Sequence, residues 1–364
     1  MGKLVDRNKE FQKFYKNKTV LITGDTGFKG SWLALWLDTL GANVIGYSLP
    51  PLRNEDHYNL LELDKNITHI DGDLLDGDKL NATFQKYQPE IVFHLAAQAL
   101  VRFSYDEPKL TFDTNVGGSV NLLEAVRMCN SVKSVIYVTS DKCYKNKEWV
   151  WGYREMDELG GHDPYSASKA AAEIVFSSYC DSFFGKKRAI GMASVRAGNV
   201  IGGGDWALDR IIPDCIKAIS KGEPIILRNP LATRPWQHVL EPLSGYMLLA
   251  LKLYSEPLKY NGSWNFGPEI SSIKTVEQLS QKIVKYFGAG TIEIETIEGA
   301  KHEASILHLN CDKTNTVLEW LPTWDFDSTM EQTAQWYKGY LDGVAPKILS
   351  ERNILKFIND EKNN

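Results

Sequence analysis

The sequence is poor in cysteine, with 5 in 364 residues. Cys129, Cys143, Cys180, Cys215 and Cys311 are odd in number and scattered, and none forms a C-x-x-C pair. That spacing supports neither a disulfide framework nor a zinc site. Long apolar runs are missing too. The longest, 32–37 and 246–251, fall far short of the roughly 20 residues that span a bilayer. Charge of one sign is also lacking: 41 basic residues stand against 46 acidic ones, a net of −5. Without a basic stripe, no nucleic-acid partner is expected. Residues 1–7 (MGKLVDR) hold no apolar core of a signal peptide, and the chain shows no repeats and no low-complexity segments. The expectation is a cytoplasmic protein with reduced thiols, no membrane and no metal.

At roughly 100–200 residues per domain, the length predicts two domains or one large domain with a lobe. The 10 Trp and 16 Tyr suggest sizeable buried surfaces or stacking pockets. Strand-like runs at 19–23, 43–48, 67–71, 91–95, 132–139 and 190–196 alternate with helical stretches at 28–40, 77–87, 108–129 and 166–184. Such alternation predicts βαβ units and a parallel sheet covered on both faces. Residues before Thr19 read as a polar leader. Beyond Arg196 the pattern loosens into a loop at 202–206, a helix at 211–221, short strands at 225–227 and 263–266, a helix at 275–287 and a helical tail after about 327. The fold class is therefore α/β: a Rossmann-like doubly wound parallel sheet with a smaller mixed α/β C-terminal lobe. The dinucleotide-binding domain is expected over 1–196, with return segments near 236–239 and 263–266, and the other lobe over 197–364.

Gly24, Gly27 and Gly30 give G-x-x-G-x-x-G between the first strand and the first helix. Glycines there allow a tight turn, let a pyrophosphate approach the backbone, and leave helix N–H groups free to bind it. Thr26, Phe28 and Lys29 belong to the same turn. The second strand ends near Tyr47 and Ser48 without the acid that often holds the adenosine ribose, while Arg53 follows shortly. Charge alone therefore leaves NAD and NADP open. Asp73, beside Leu74 after the third strand, could bind the adenine amino group or cap the next helix. Leu95, Ala96 and Ala97 close the fourth strand, where small residues would let a cofactor pass near the backbone.

Tyr165 and Lys169 form Y-x-x-x-K, which puts both on one helix face. A lysine ammonium beside a tyrosine is expected to lower the phenol's pKa toward working pH, making Tyr165 a base for a substrate hydroxyl. Ser140, Asp141 and Lys142 end the fifth strand, on the side where open α/β sheets bind ligands. Asp141 could move a proton, and acid work near neutrality requires its pKa to be raised.

Together the glycine turn, residues 94–98, Ser140–Asp141 and Tyr165/Lys169 resemble the extended short-chain dehydrogenase/reductase superfamily. The Ser-Asp pair resembles its nucleotide-sugar 4,6-dehydratases. The segments NVIGGGDW (199–206), RIIPD (210–214) and RPWQHV (234–239) resemble the branch acting on CDP-glucose. The resemblance runs from about 18 to 340. It implies NAD as cofactor, a nucleotide-sugar substrate (CDP-glucose), and a place in deoxysugar synthesis for O-antigen-type polysaccharide. It further implies oxidation at carbon 4 assisted by Tyr165 and Lys169, water loss across carbons 5 and 6 with Asp141 as acid, and hydride return to carbon 6. Ser140 would bind the carbon-4 oxygen. Relatives using dTDP sugars carry a Glu as the carbon-5 base where this chain has Lys142, so Lys142 is either a neutral base or a group that orients the sugar. Asn199, Arg210 and Arg234 are the donors expected to hold the substrate diphosphate. Trp206 and Trp236 either pack the nucleoside or sit in the core, and His94 and His238 read as structural. Related enzymes pair through two helices, so a homodimer or homotetramer through 108–129 and 166–184 is expected. A 4-epimerase of the same fold and a catalytically silent dinucleotide sensor are the rival readings. The first needs no acid at Asp141, and the second usually lacks the Tyr/Lys pair.

Overall fold

A computed structural model describes residues 7–184, 188–207, 210–295 and 307–362. The strands β1 (Thr19–Thr23), β2 (Asn43–Ser48), β3 (Thr68–Asp71), β4 (Ile91–His94), β5 (Ser134–Val138), β6 (Gly191–Ala197) and β7 (Gly262–Phe266) build one sheet. Their order is β7-β6-β5-β4-β1-β2-β3, and every pair is parallel. The order reverses between β1 and β4, which opens a crevice at their carboxyl ends.

Helices cover both faces, so the central strands are apolar throughout instead of alternating. Side chains still alternate in direction. Val20 and Ile22 enter one core together with Phe93 and Ile136, while Leu21 enters the other with Val92 and Val135. The first core takes α1 (Arg7–Tyr15), α2 (Phe28–Thr39) and α7 (Leu240–Ser255). The second takes α3 (Gly77–Tyr87), α4 (Gly118–Met128) and α5 (Pro164–Phe183). The helix α6 (Ile211–Lys221) packs with α8 (Val276–Phe287) and with the strand Ile225–Leu227, and three short strand pairs complete this region. These join Val200–Ile201 to Gln237–His238, Thr233–Pro235 to Ile273–Thr275, and Ile225–Leu227 to Ile292–Ile294. Helices α9 (Phe326–Leu341) and α10 (Pro346–Glu361) return to the first core.

Four local expectations are corrected. The described part of the polar leader is a helix: Phe11 and Tyr15, one turn apart, are buried, and the Tyr15 hydroxyl donates to the Met247 carbonyl at 2.7 Å. The stretch 108–129 is not one helix. Pro108–Phe112 passes through a wide π turn at Asp113–Gly117 before α4 begins. The apolar run read at 246–251 lies inside α7 (Leu240–Ser255), whose apolar surface extends all round because it is buried on nearly every side. The tail is two helices, broken between Leu341 and Pro346, where Gly343 turns the chain at φ +84°.

Among the described residues no helix is long and apolar enough to cross a membrane. Nor does any group of three or more His, Cys, Asp and Glu form a metal site there.

Glu241 shows what burial costs this fold. It is fully buried at the start of α7 and accepts the N–H groups of Thr323 at 2.9 Å and Trp324 at 2.7 Å. Burial pushes its carboxyl up to about 8 from an ordinary 4.5. Between those values the unfolded chain releases a proton that the folded chain keeps, so this group weakens the fold as pH rises. Glu241→Gln keeps an acceptor oxygen and removes the charge. Thermal unfolding is expected to show the variant more stable than the parent at pH 8, with the gap closing toward pH 4; a gap independent of pH contradicts this account.

Candidate active site

The crevice begins at the glycine turn. Gly24 has φ +80°, a left-handed conformation, and a Cβ there would lie 2.7 Å from the Ala96 backbone nitrogen. A Cβ on Gly30 would lie 1.9 Å from the Gly24 carbonyl oxygen. The ends of β1 and β4 and the first turn of α2 therefore meet backbone to backbone. Gly27 starts α2 and offers no side-chain cap, so the first N–H groups of the helix are left for a ligand. A surface of uncapped N–H groups with no side chain in the way fits a dinucleotide diphosphate.

Around this turn the expected cofactor residues separate into two groups. Thr26 anchors the turn to the end of β2, its hydroxyl 2.9 Å from the Ser48 hydroxyl and donating to the Leu49 carbonyl at 2.9 Å. Phe28 and Lys29 sit in the first turn of α2, and Leu95, Ala96 and Ala97 follow β4, with the Leu95–Ala96 backbone against Gly24. Asp73 is exposed, and its carboxylate accepts the Leu75 N–H at 2.9 Å. It does not cap the next helix; Asp76 does, accepting from the Lys79 N–H. Leu74 is buried in the second core, with its side chain turned away from the crevice to pack against Gly118. The end of β2 carries no acid of its own, but Asp25 reaches under it from the glycine turn. Its carboxylate accepts from Ser48 at 2.9 Å and lies 2.7 Å from His69 Nδ1. Arg53 is held by Asp56 at 3.2 Å and by the Trp206 carbonyl at 2.6 Å.

The structure brings Ser140, Asp141, Tyr165 and Lys169 together, all buried. Asp141 opens a single helical turn after β5, and the Ser140 hydroxyl donates to its carboxylate at 3.0 Å. Burial raises the Asp141 pKa, opposed by Lys142, by the Ser140 hydrogen bond, and by Arg234 and Lys29. Tyr165 and Lys169 lie one turn apart on α5. Contrary to expectation, the lysine does not pull the phenol down. Burial lifts Tyr165 to about 12, only partly offset by its hydrogen bond to Ser140 and by Arg210. The same burial lowers Lys169 to about 8. In a dry cleft, each group's own lost hydration outweighs its neighbour's charge.

Arg210 pairs with Asp205 at 2.8 Å and faces Tyr165. Arg234 donates to the Thr233 carbonyl at 2.8 Å and acts on Asp141. The Asn199 carbonyl accepts the Gln237 N–H at 3.4 Å, between β6 and the small lobe. Gly198 lets Asp141 approach, since a Cβ there would lie 3.2 Å from its carboxylate and from Pro235. Trp236 is buried in the core, its indole donating to the Lys274 carbonyl at 3.0 Å, and Trp206 packs on Tyr337 and Tyr340. His94 is buried against Thr23 at 2.7 Å, and His238 is buried beside Trp32 and Trp324.

Sequence reasoning missed two groups. Asn115 sits in the π turn, a feature that often marks functional sites. Its side-chain oxygen accepts the Gln98 N–H at 2.8 Å, and its nitrogen donates to the Gln98 carbonyl at 3.0 Å and to Ser168 at 2.9 Å. One amide thus ties the end of β4 to the Tyr165/Lys169 helix. A mid-helix asparagine followed by Gly117 and Gly118 was the available signal. The second group is Glu173, one turn beyond Lys169, which forms a buried ion pair with Arg196 at 2.8 Å and accepts from Ser194 at 2.8 Å and from Thr139. It locks α5 onto β5 and β6.

Known proteins agree with this arrangement. The family model described as GDP-mannose 4,6 dehydratase matches residues 21–333. A CDP-glucose 4,6-dehydratase of Salmonella typhimurium is 45% identical over 98% of this chain and 99% of its own length. A dTDP-glucose 4,6-dehydratase of Xanthomonas campestris is 24% identical over 89% of this chain and 96% of its own. Among solved structures, an epimerase of Methanothermobacter thermautotrophicus superposes with a TM-score of 0.80 at 23% identity, covering 94% of this chain and 98% of that one. A dTDP-glucose 4,6-dehydratase of Bacillus anthracis, solved with NAD, gives a TM-score of 0.74 at 21% identity, covering 91% and 99%. The sheet order, the crevice and these matches lead to one conclusion: the chain belongs to the nucleotide-sugar 4,6-dehydratase family, within the extended short-chain dehydrogenase/reductases.

Proposed function

We propose that this protein dehydrates CDP-D-glucose to CDP-4-dehydro-6-deoxy-D-glucose with NAD as cofactor, supplying deoxysugar precursors of O-antigen-type polysaccharide. The observation that carries the reading is Asp141, a buried carboxyl whose pKa burial raises. It sits beside Tyr165 in a chain 45% identical, nearly end to end, to a CDP-glucose 4,6-dehydratase. An epimerase has no use for a protonated acid at that position.

Gly24, Thr26, Gly27, Phe28, Lys29 and Gly30 would hold the cofactor diphosphate, chiefly through main-chain N–H groups. Leu95–Ala97 would flank it, as would Asp73 and the main chain of Leu74. NAD, when bound, supplies the acceptor for hydride from carbon 4, the donor of hydride to carbon 6, and a cationic ring that favours phenolate nearby. Tyr165 removes the carbon-4 hydroxyl proton, with Lys169 one turn away and Arg210 favouring the phenolate. Ser140 donates to the carbon-4 oxygen. The ketone so formed acidifies carbon 5. Asp141, whose pKa burial raises, protonates the departing carbon-6 hydroxyl. Asn199, Arg210 and Arg234 hold the substrate diphosphate, and Lys142 faces the sugar beside Asp141.

In this reading each ligand has its own lobe, 1–196 and 197–364, and the second half crosses back through α7 and β7. The protein works in the cytoplasm as a homodimer or homotetramer. Leu110 and Phe112 from the first helix stretch, with Ile174 and Phe183 from α5, expose apolar side chains for that contact. Ile174→Glu is expected to shift the protein to monomers in analytical ultracentrifugation; an unchanged assembly removes this face from the interface.

The direct assay incubates the protein with CDP-glucose and NAD. A 4-keto-6-deoxy product is expected. CDP-galactose alone would indicate an epimerase, and absence of turnover a dinucleotide sensor. Asp141→Asn is expected to bind NAD normally and to slow elimination by roughly 10²–10⁴-fold. Near-normal turnover would remove Asp141 from the mechanism.

A further inference from the structure

The end of β2 is where dinucleotide folds commonly place an acid that accepts the adenosine ribose 2′-hydroxyl. Here that position is Ser48, and the acid arrives from elsewhere. Asp25, the second residue of the glycine turn, passes its carboxylate across β2 at Gly46, where a Cβ would lie 2.0 Å from it. A glycine inside a strand marks such a close approach. One carboxylate oxygen accepts the Ser48 hydroxyl at 2.9 Å, and the other faces His69 Nδ1 at 2.7 Å. Asp25 has no exposed surface, whereas Ser48 keeps 8% of its own, so only the serine reaches a ligand.

The direction of these hydrogen bonds decides what Ser48 presents. A hydroxyl has one proton, and an ionised carboxylate only accepts. Asp25 is the charged acceptor, so it takes the serine proton in preference to the neutral Leu49 carbonyl at 3.2 Å. The Thr26 hydroxyl lies 2.9 Å from both the Ser48 oxygen and the Leu49 carbonyl, and gives its own proton to one of them. In either case Ser48 keeps a lone pair and has no proton left to give. It offers what a ribose carboxylate offers, with the charge set one hydrogen bond further back.

We propose that the Asp25–Ser48 pair selects NAD over NADP. Ser48 accepts the adenosine 2′-hydroxyl, and Asp25 positions the serine and repels a 2′-phosphate. This inference rests on the reading of the glycine turn as the cofactor site and is independent of the sugar substrate. The cations of this region are engaged elsewhere. Arg53 donates to the Trp206 carbonyl at 2.6 Å and pairs with Asp56 at 3.2 Å. His69 is held between Asp25 and Asp71, at 2.7 and 3.1 Å. A 2′-phosphate carries only acceptors, and it would meet a lone pair with negative charge behind it.

The test is a binding titration followed by tryptophan fluorescence, which needs neither CDP-glucose nor turnover. The probes are NAD, 2′-deoxy-NAD and NADP. A wild type that binds none of them overturns the cofactor reading and this inference with it. Where NAD binds, 2′-deoxy-NAD is expected to bind about tenfold more weakly, for the loss of one hydrogen bond. NADP should bind at least roughly 10²-fold more weakly, because like charges are brought together. Ser48→Ala should bind NAD and 2′-deoxy-NAD equally, within about twofold. In Asp25→Asn, His69 keeps the amide oxygen, so the amide nitrogen faces Ser48 and frees the serine proton. That variant should narrow the NAD-to-NADP ratio by about tenfold or more. If Asp25→Asn fails to fold, Ser48→Ala with 2′-deoxy-NAD decides the case. A wild type indifferent to the 2′-substituent, a Ser48→Ala variant that still prefers NAD to 2′-deoxy-NAD, or an Asp25→Asn variant that weakens all three probes alike overturns the proposal.

Discussion

Desolvation at the carboxyl ends of β1, β4 and β5 governs what this protein can do. Four ionisable side chains meet there, and each is pushed toward its uncharged form: Asp141 and Tyr165 upward, Lys29 and Lys169 downward. In water all four would sit in the wrong state for proton traffic near neutrality, the acid already empty and the amines already full. Burial moves the acid and the two amines toward the opposite state, while it holds Tyr165 as the neutral phenol, so the phenolate depends on positive charge placed near it. The charges that remain fixed, Arg210 and Arg234, lie on the side assigned to phosphate.

Holding such groups out of water requires a rigid frame. The frame is backbone packed on backbone, with Gly24 against Ala96 and Gly30 against Gly24, where no side chain could fit. Asn115 then ties the end of β4 to α5, and the buried Glu173–Arg196 pair ties α5 to the sheet. The Glu173–Arg196 pair lies just beneath the cleft, next to Lys169, which feels the Glu173 carboxylate directly. Positioning and electrostatics are thus supplied by the same few residues.

Much of this was legible in the chain. β1, β2 and α3 fall where β-branched runs, glycines and amphipathic spacing put them, because local chemistry and tertiary packing agree there. The helix α1 was not legible: two buried aromatics among charged residues give a weak pattern that only the partner surface completes. The helix α7 lacks an amphipathic stripe because nearly every side is covered. The π turn at Asn115 interrupts a sequence that reads as continuous helix. At the site, the residue types of the Ser-Asp and Tyr/Lys motifs announced proton chemistry. The direction of the Tyr165 shift did not follow from them, since it depends on how completely the fold excludes water.

The account stands on burial raising the Asp141 pKa above that of an ordinary aspartate. Carbon-13 NMR of the aspartate carboxyl resonances, with Asp141→Asn to assign the signal, measures this directly. The midpoint should lie above the ordinary value of 3.8. A midpoint at or below that value would mean that the cleft does not keep Asp141 as an acid, and elimination would need another proton donor.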